Sequence, residues 1–436
     1  MKQKRILFAL LAAVVVAGLL LGGCAQKSSK VTLKVLNYAD ATTPGYAVEK
    51  KIWDDFRAAN PDINLEYEEL FNEPFHQKTE AYAAAGKLPD VLYMWPSGRS
   101  STLYNKKLVK DLTPFLAADK AKYLEATMVP QMNGIIGELP LTITNTHMLY
   151  VNTKLLAELG LKEPATYEDL KAMVPVAKKA GKDVILMAAK DDWVLQSCLF
   201  SMISGRMAGD KFIDDALAGK AKFTDKPFVD ALAFVGTMIK DGVMSKNILQ
   251  VAYGEGPALF AAGKSLFYID GEWRAGAFIT DPNTGKALIA PADQKNIKLT
   301  VLPAIAGETL PGSSSAVVGT GFGMSAAVKS GSAVEKAAWK LISYMASPEV
   351  AKQRLETGAF ARASIKGVTS DKLEPIQQMN AAFAPAAASY VLDGVLDAKV
   401  YGPINVGLQE IILGSKTAEQ VAADTQKAFE EWKAAK

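Results

Sequence analysis

Residues 31–95 read VTLKVLNYADATTPGYAVEKKIWDDFRAANPDINLEYEELFNEPFHQKTEAYAAAGKLPDVLYMW. Val31 to Tyr38 alternates and is rich in β-formers, which predicts a strand. After the loop Ala39–Gly45, Val48, Ile52 and Phe56 recur at helical spacing until Asn60-Pro61 stops them. Ile63, Leu65 and Tyr67 alternate with Asn64 and Glu66 as a second strand, and a second helix is expected from about Pro74 to Ala85, ended by Gly86. Val91 to Trp95 is apolar throughout, as a strand covered on both faces is. The order βαβαβ predicts an α/β fold built on a parallel sheet with right-handed crossovers.

Open sheets of this kind hold ligands beyond the carboxyl ends of their strands. The first such end offers Asn37, Tyr38 and Asp40; the third offers Trp95, Ser97 and Arg99. Pro96-Ser97-Gly98 follows Trp95 at once and places that ring at a strand end rather than inside the core. For Asp40 and Arg99, a solvated loop charge is the competing reading.

Residues 139–169 carry a second signal. Thr142, Thr144, Asn145, Thr146 and His147 interrupt an extended apolar segment between Leu141 and Met148-Leu149-Tyr150-Val151. Such a polar interruption suits a strand crossing between two lobes past a wet cleft. Asn152 is placed to cap the helix of Leu155, Leu156 and Leu159, and Thr166 with Asp169 forms a capping-box pattern for the next. Pro175 predicts a kink or break in that helix.

The second half repeats the logic. Val184 to Met187 is a short strand, with Trp193 following Lys190-Asp191-Asp192, and helical spacing covers Phe228 to Lys240. In LFAAGKSLFYIDGEWRAGAF, residues 259–278, an apolar strand ends at Asp270-Gly271-Glu272 with Trp273 at its tip. Further strands are expected at Ile297–Leu302 and Ala316–Ala326, a helix at Ala333–Met345, and a new helix after Ser347-Pro348. Tyr38, Trp95, Trp193, Trp273 and Tyr401 thus stand at expected strand ends or loops in both halves. Sugars suit such a set, since their C–H faces lie on rings while their hydroxyls need Asp, Asn, Thr and Arg partners.

The chain opens with basic Lys2, Lys4 and Arg5, an apolar run Ile6–Leu21, and Leu21-Gly22-Gly23-Cys24. That is the pattern of a secretory signal, residues 1–23, and the run is short for a membrane span. Leu-Gly-Gly-Cys resembles a lipobox, which implies acylation at Cys24 and a polar tether over residues 24–30. Loss of the signal takes the 49 Lys and Arg to 46, equal to the 46 Asp and Glu. A neutral mature chain without basic runs argues against a nucleic-acid partner.

With Cys24 lipidated, Cys198 has no partner for a disulfide and reads as a small core residue. About 410 mature residues exceed what one core usually supports, so two lobes are expected. His76 and His147 are the only histidines and lie far apart, so neither a metal site nor a cofactor is indicated. No Gly-x-Ser-x-Gly elbow occurs, and Gly319–Gly323 lacks the Gly-Lys-Ser/Thr of a phosphate loop. Acid pairs such as Asp191-Asp192 are sequence neighbours, which rarely take the facing geometry of glycoside hydrolysis.

These residues together resemble the family 1 extracellular solute-binding proteins of ABC importers, the group that includes maltodextrin-binding proteins. The pieces that carry the resemblance are Phe56–Pro61, Pro89-Asp90-Val91, Leu149–Leu161 with Pro164–Leu170, Phe260–Trp273, and Ala337-Ala338-Trp339 through Ser347-Pro348. The resemblance implies a periplasmic-binding-protein-like type II fold whose crossing segments form a hinge. We divide it as residues 31–145 and 299–345 in the first lobe, and 146–298 and 347–436 in the second.

The resemblance matches Trp273 to the stacking tryptophan of a Gly-x-Trp motif, Asn145 to a cleft carboxylate and Tyr401 to a late aromatic. The chain departs from many relatives at Phe360-Ala361-Arg362, where they carry proline after the glycine turn. It implies a monomeric, lipid-anchored extracytoplasmic receptor that binds a carbohydrate and delivers it to a permease, without enzyme activity. The expected ligand contacts are Tyr38, Asp40, Trp95, Arg99, Asn145, His147, Trp193, Trp273 and Tyr401. Two other classes stay open at this point: a receptor for a glycerophosphodiester or polyamine, and a secreted glycan-processing enzyme.

Overall fold

The opening stretch folds in the computed structural model as β1 (Val31–Tyr38), a helix Tyr46–Ala59, β2 (Ile63–Leu70), a helix Glu73–Ala85 and β3 (Val91–Met94). Residues 30–41, 45–95, 98–128, 130, 132–282 and 284–435 are described; the signal, Cys24 and Ser97 lie outside them. β1 pairs in parallel with β2 and β3. Its period of two sorts the side chains: Leu33 and Val35 pack with Ile52, Trp53 and Phe56 on one face, Leu36 with Phe75 and Leu92 on the other.

The remaining strands are β4 (Glu138–Pro140), β5 (Ile143–Asn145), β6 (Met148–Asn152), β7 (Asp183–Leu186), β8 (Ser265–Asp270), β9 (Ile297–Thr300), β10 (Ser314–Val318), β11 (Gly321–Met324) and β12 (Ala388–Tyr390). They form three sheets, ordered β2-β1-β3-β11-β4, β12-β10-β5 and β7-β8-β6-β9. The first is mixed rather than purely parallel, because β11 runs antiparallel to both β3 and β4. The outer two sheets belong to the two lobes of an α/β type II fold. The small central sheet is where the chain crosses between them.

Two of the crossings pass through this sheet. Residues 138–152 pass from β4 through β5 to β6, while β10 and β11 return, with Ala316 opposite Asn145 and Val317 opposite Thr144. The single strand expected over Ala316–Ala326 is therefore divided at Gly319-Thr320, where the backbone leaves one sheet for the next. A Cβ at Gly319 would overlap Thr142, so only glycine fits that close passage.

The cores set the lobe boundaries differently from the sequence expectation. β9 pairs with β6, and Leu302 and Ile305 pack in the second core, so the chain returns at β10 rather than at residue 299. Val350, Leu355, Phe360, Ala363 and Ile365 pack in the first core, whereas Ile376 and Phe383 pack in the second lobe. The last crossover thus falls between Ile365 and Ile376 rather than at residue 346. The cap at Ser347 forms as expected and simply joins two helices of one lobe.

Local signals are otherwise realised. Asn152 accepts from the Leu155 amide, and Thr166 and Asp169 form a full capping box. Pro175 is the exception: the helix Tyr167–Lys179 runs through it without a break.

Candidate functional site

β1 and β3 deliver the first-lobe aromatics. Tyr38 closes β1, and Trp95 follows β3; their ring centroids are 4.4 Å apart and nearly perpendicular. Phe75 and His76, from the helix after β2, complete the group, with the imidazole 4.7 Å from Trp95. Burial, aided by the Arg99 charge, depresses His76 to about 4, so the ring is neutral near pH 7. Tyr38 and Trp95 keep part of their surface open.

Arg99 joins this group to the other lobe. Its Nε donates to Asp393 at 2.9 Å, and its guanidinium lies 5.9 Å from the Trp193 ring centroid. A Cβ at the neighbouring Gly98 would overlap the carbonyls of Asp393 and Leu396, so the loop after β3 lies directly on the 393–396 backbone. The Tyr401 hydroxyl is raised to about 12, mainly by burial, with Arg99 and Asp393 among the charges acting on it. Arg99 and Tyr401, both singled out in the sequence, therefore belong to one electrostatic neighbourhood.

β8 delivers the second wall. It is buried along its whole length, ends at Asp270, and leads through Gly271 into a two-turn 3₁₀ helix Glu272–Ala277. Trp273, half-buried, donates its Nε1–H to the Tyr253 hydroxyl. Trp193 lies 4.8 Å from Tyr253 and 6.4 Å from Trp273, the two indoles inclined by 40°. Trp193, Trp273 and Tyr253 make one continuous aromatic surface on the second lobe.

Two expected contacts are corrected. His147 is fully buried: its Nε2 accepts from the Leu302 amide at 3.0 Å, so Nδ1 carries the proton and donates to the Cys198 carbonyl at 2.7 Å. Both ring nitrogens are occupied, burial lowers the group to about 3, and the residue is a neutral pillar of the crossing rather than a ligand contact. Asn145 is likewise buried, its amide donating to Glu272 at 2.7 Å. Thr146 bonds Ser197 and Ser315, and Thr142 bonds the Arg362 carbonyl, so the polar interruption ties the hinge together instead of lining a wet cleft. Asp40, half-buried, acts on the Tyr46 hydroxyl, which is bound to Glu69.

Several residues escaped the sequence reading. Tyr253 sits towards the end of the turn-rich stretch SKNILQVAYGEG, residues 245–256, with no strand to flag it. Glu272 and Arg362 bond across the lobes, Nη2 to Oε2 at 3.3 Å, which gives the departure at Phe360-Ala361-Arg362 a structural role. Burial pushes the Glu272 carboxyl up, opposed by Arg362 and Asn145. Among the described residues no cluster of His, Cys, Asp and Glu is arranged to hold a metal ion. Two cavities of about 330 and 410 Å³ flank β9 on the second lobe, remote from these aromatic rings in their lining.

Two lobes, three crossings and aromatic surfaces at the strand ends of both define a solute-binding protein. The chain belongs to the bacterial extracellular solute-binding protein family, whose model matches residues 39–352. That family is made of binding proteins rather than enzymes and is extracytoplasmic; among the described residues no helix is long and apolar enough to cross a membrane.

The multiple sugar-binding protein of Streptococcus mutans is 26% identical over 258 residues, a match spanning 57% of this chain and 59% of that relative's length. A protein solved in work on xylan utilisation by Caldanaerobius polysaccharolyticus superposes with a TM-score of 0.79 at 22% identity, over 91% of this chain and 99% of the other. The maltose/maltodextrin-binding domain MalE of Bdellovibrio bacteriovorus, bound to maltotriose, gives 0.71 at 17% identity, over 92% and 99%. At these identities the likeness establishes the fold.

Proposed function

We propose that this protein is the lipid-anchored receptor of an ABC importer, and that it captures an uncharged carbohydrate between its lobes and delivers it to the permease. The observation that carries this reading is the pairing of open aromatic surfaces with internally neutralised charge. Tyr38 and Trp95 stand on one lobe and Trp193, Tyr253 and Trp273 on the other, while Arg99, Arg274 and Arg362 are each bonded to a carboxylate, Asp393, Asp270 and Glu272. Rings bind the C–H faces of sugars, and a paired guanidinium still offers N–H groups to hydroxyls. A phosphodiester would call for spare cations and a polyamine for spare acids.

The sugar-binding and maltotriose-bound relatives support the same ligand class. A ligand touching both lobes favours closure by the difference in its affinity for the two states. Acylation at Cys24 would hold the receptor at the membrane, and Cys24→Ser should release it into the soluble fraction.

The test is a thermal-shift screen of the mature chain with xylotriose, maltotriose and monosaccharides against glycerophosphocholine and spermidine. A ligand at 100 times its Kd adds about 2.7 kcal/mol of stability. A rise with a carbohydrate is expected; a rise only with a charged solute overturns the ligand class.

A further inference from the structure

Beneath the second-lobe wall lies a buried polar network that extends beyond the ligand-facing surface. Asp270 is fully buried at the end of β8. Its Oδ1 accepts from the Gly271 amide at 2.8 Å and from the Tyr253 hydroxyl at 3.2 Å. Its Oδ2 accepts from the Tyr268 hydroxyl and from Arg274 Nε, the latter at 3.0 Å. The Arg274 guanidinium in turn covers the Tyr253 ring at 3.8 Å, and Tyr253 receives the indole N–H of Trp273.

The donor inventory gives this network a direction. An ionised carboxylate only accepts, and an indole N–H only donates. The Tyr253 hydroxyl therefore has to point its hydrogen at Asp270, which turns a lone pair towards Trp273. We infer that the Asp270–Tyr253 pair positions the sugar-facing wall by holding the Trp273 indole in one orientation. The inference rests on the carbohydrate reading for its functional meaning, but the orientation itself can be measured without ligand. Asp270 and Tyr253 are positioning residues: the first acts through the second, and the second through the indole.

Tyr253→Phe keeps the ring under Arg274 and removes only the hydroxyl. Asp270→Asn can present an amide N–H to Tyr253, reversing the hydroxyl and leaving the indole N–H without its acceptor. Both variants are expected to change the near-ultraviolet circular dichroism of the tryptophans and raise the acrylamide quenching of their emission in ligand-free protein. In a Trp273→Phe background, Tyr253→Phe should add no further change. With xylotriose or maltotriose, whichever stabilises the wild-type chain, affinity should fall about three- to tenfold, in line with loss of one hydrogen bond.

An unchanged tryptophan spectrum in Tyr253→Phe, or a change that persists in the Trp273→Phe background, overturns the inference. If Asp270→Asn fails to fold, the Tyr253→Phe comparison decides alone. A changed spectrum with no carbohydrate bound by the wild-type chain upholds the positioning and refutes the carbohydrate reading.

Discussion

The indole of Trp273 lies on the backbone of Gly271: a Cβ built at 271 would overlap its six-membered ring. Gly271 has φ −79° and ψ 168°, extended backbone that any residue adopts, so the glycine is required by space and not by conformation. The Gly-x-Trp pattern is thus one steric unit. Gly271→Ala should cost about 1–3 kcal/mol, the usual penalty for overpacking, and lower the melting temperature. In a Trp273→Ala background the same change should cost little, because the overlapping ring is gone; melting curves of the four proteins check this.

Trp273 itself is held by one hydrogen bond and by its neighbours Tyr253 and Trp193, and it keeps part of its surface open. Trp273→Ala is expected to weaken carbohydrate binding by about 1–3 kcal/mol, the value of an apolar face buried by a ligand. Isothermal titration on a folded variant measures it, and unchanged affinity sinks the assignment of Trp273 as a stacking wall.

How much of this was legible in the sequence follows from the range of each interaction. The fold of residues 31–95 was readable because strand alternation, helical spacing and the Asn60-Pro61 stop are local signals, and the capping box of Thr166 and Asp169 spans four residues. The place of Trp273 just beyond a strand was readable because the apolar run that ends at Asp270 is a local signal. His147 was misread, since its two partners come from Cys198 and Leu302, positions that only the folded crossing brings to it. Tyr253 and Asp393 gave no signal for the same reason. The division of β10 from β11 depends on Gly319 passing Thr142, a contact between two distant crossing strands.

Arg99 and Asp393 form an ion pair that spans the lobes with side chains only 19% and 10% exposed. At that burial the pair is weakly screened, and losing either partner leaves a charge poorly compensated. Arg99→Met and Asp393→Asn should each destabilise the protein, and the double variant should be more stable than additivity allows. A coupling of about 0.5–3 kcal/mol is expected from urea denaturation of the full cycle. Additive losses would mean that the two side chains do not act on each other in solution.

His76 offers a pH signature. Its folded value is lowered to about 4, chiefly by burial and further by Arg99, against an ordinary value of 6.5. Between these two pH values the unfolded chain binds a proton that the folded chain does not, so stability falls as pH drops through the window and the effect levels off below about 4. The slope for one such group is about 1.4 kcal/mol per pH unit. Glu272, raised by burial, contributes with the opposite sign above its ordinary range, so the informative quantity is the difference between wild type and His76→Phe. The phenyl ring preserves the packing on Trp95 and cannot titrate. The variant should therefore gain stability relative to wild type as pH falls from 6.5 towards 4, measured by urea denaturation at each pH. A difference independent of pH would mean that His76 is protonated in the folded protein as readily as in the unfolded chain.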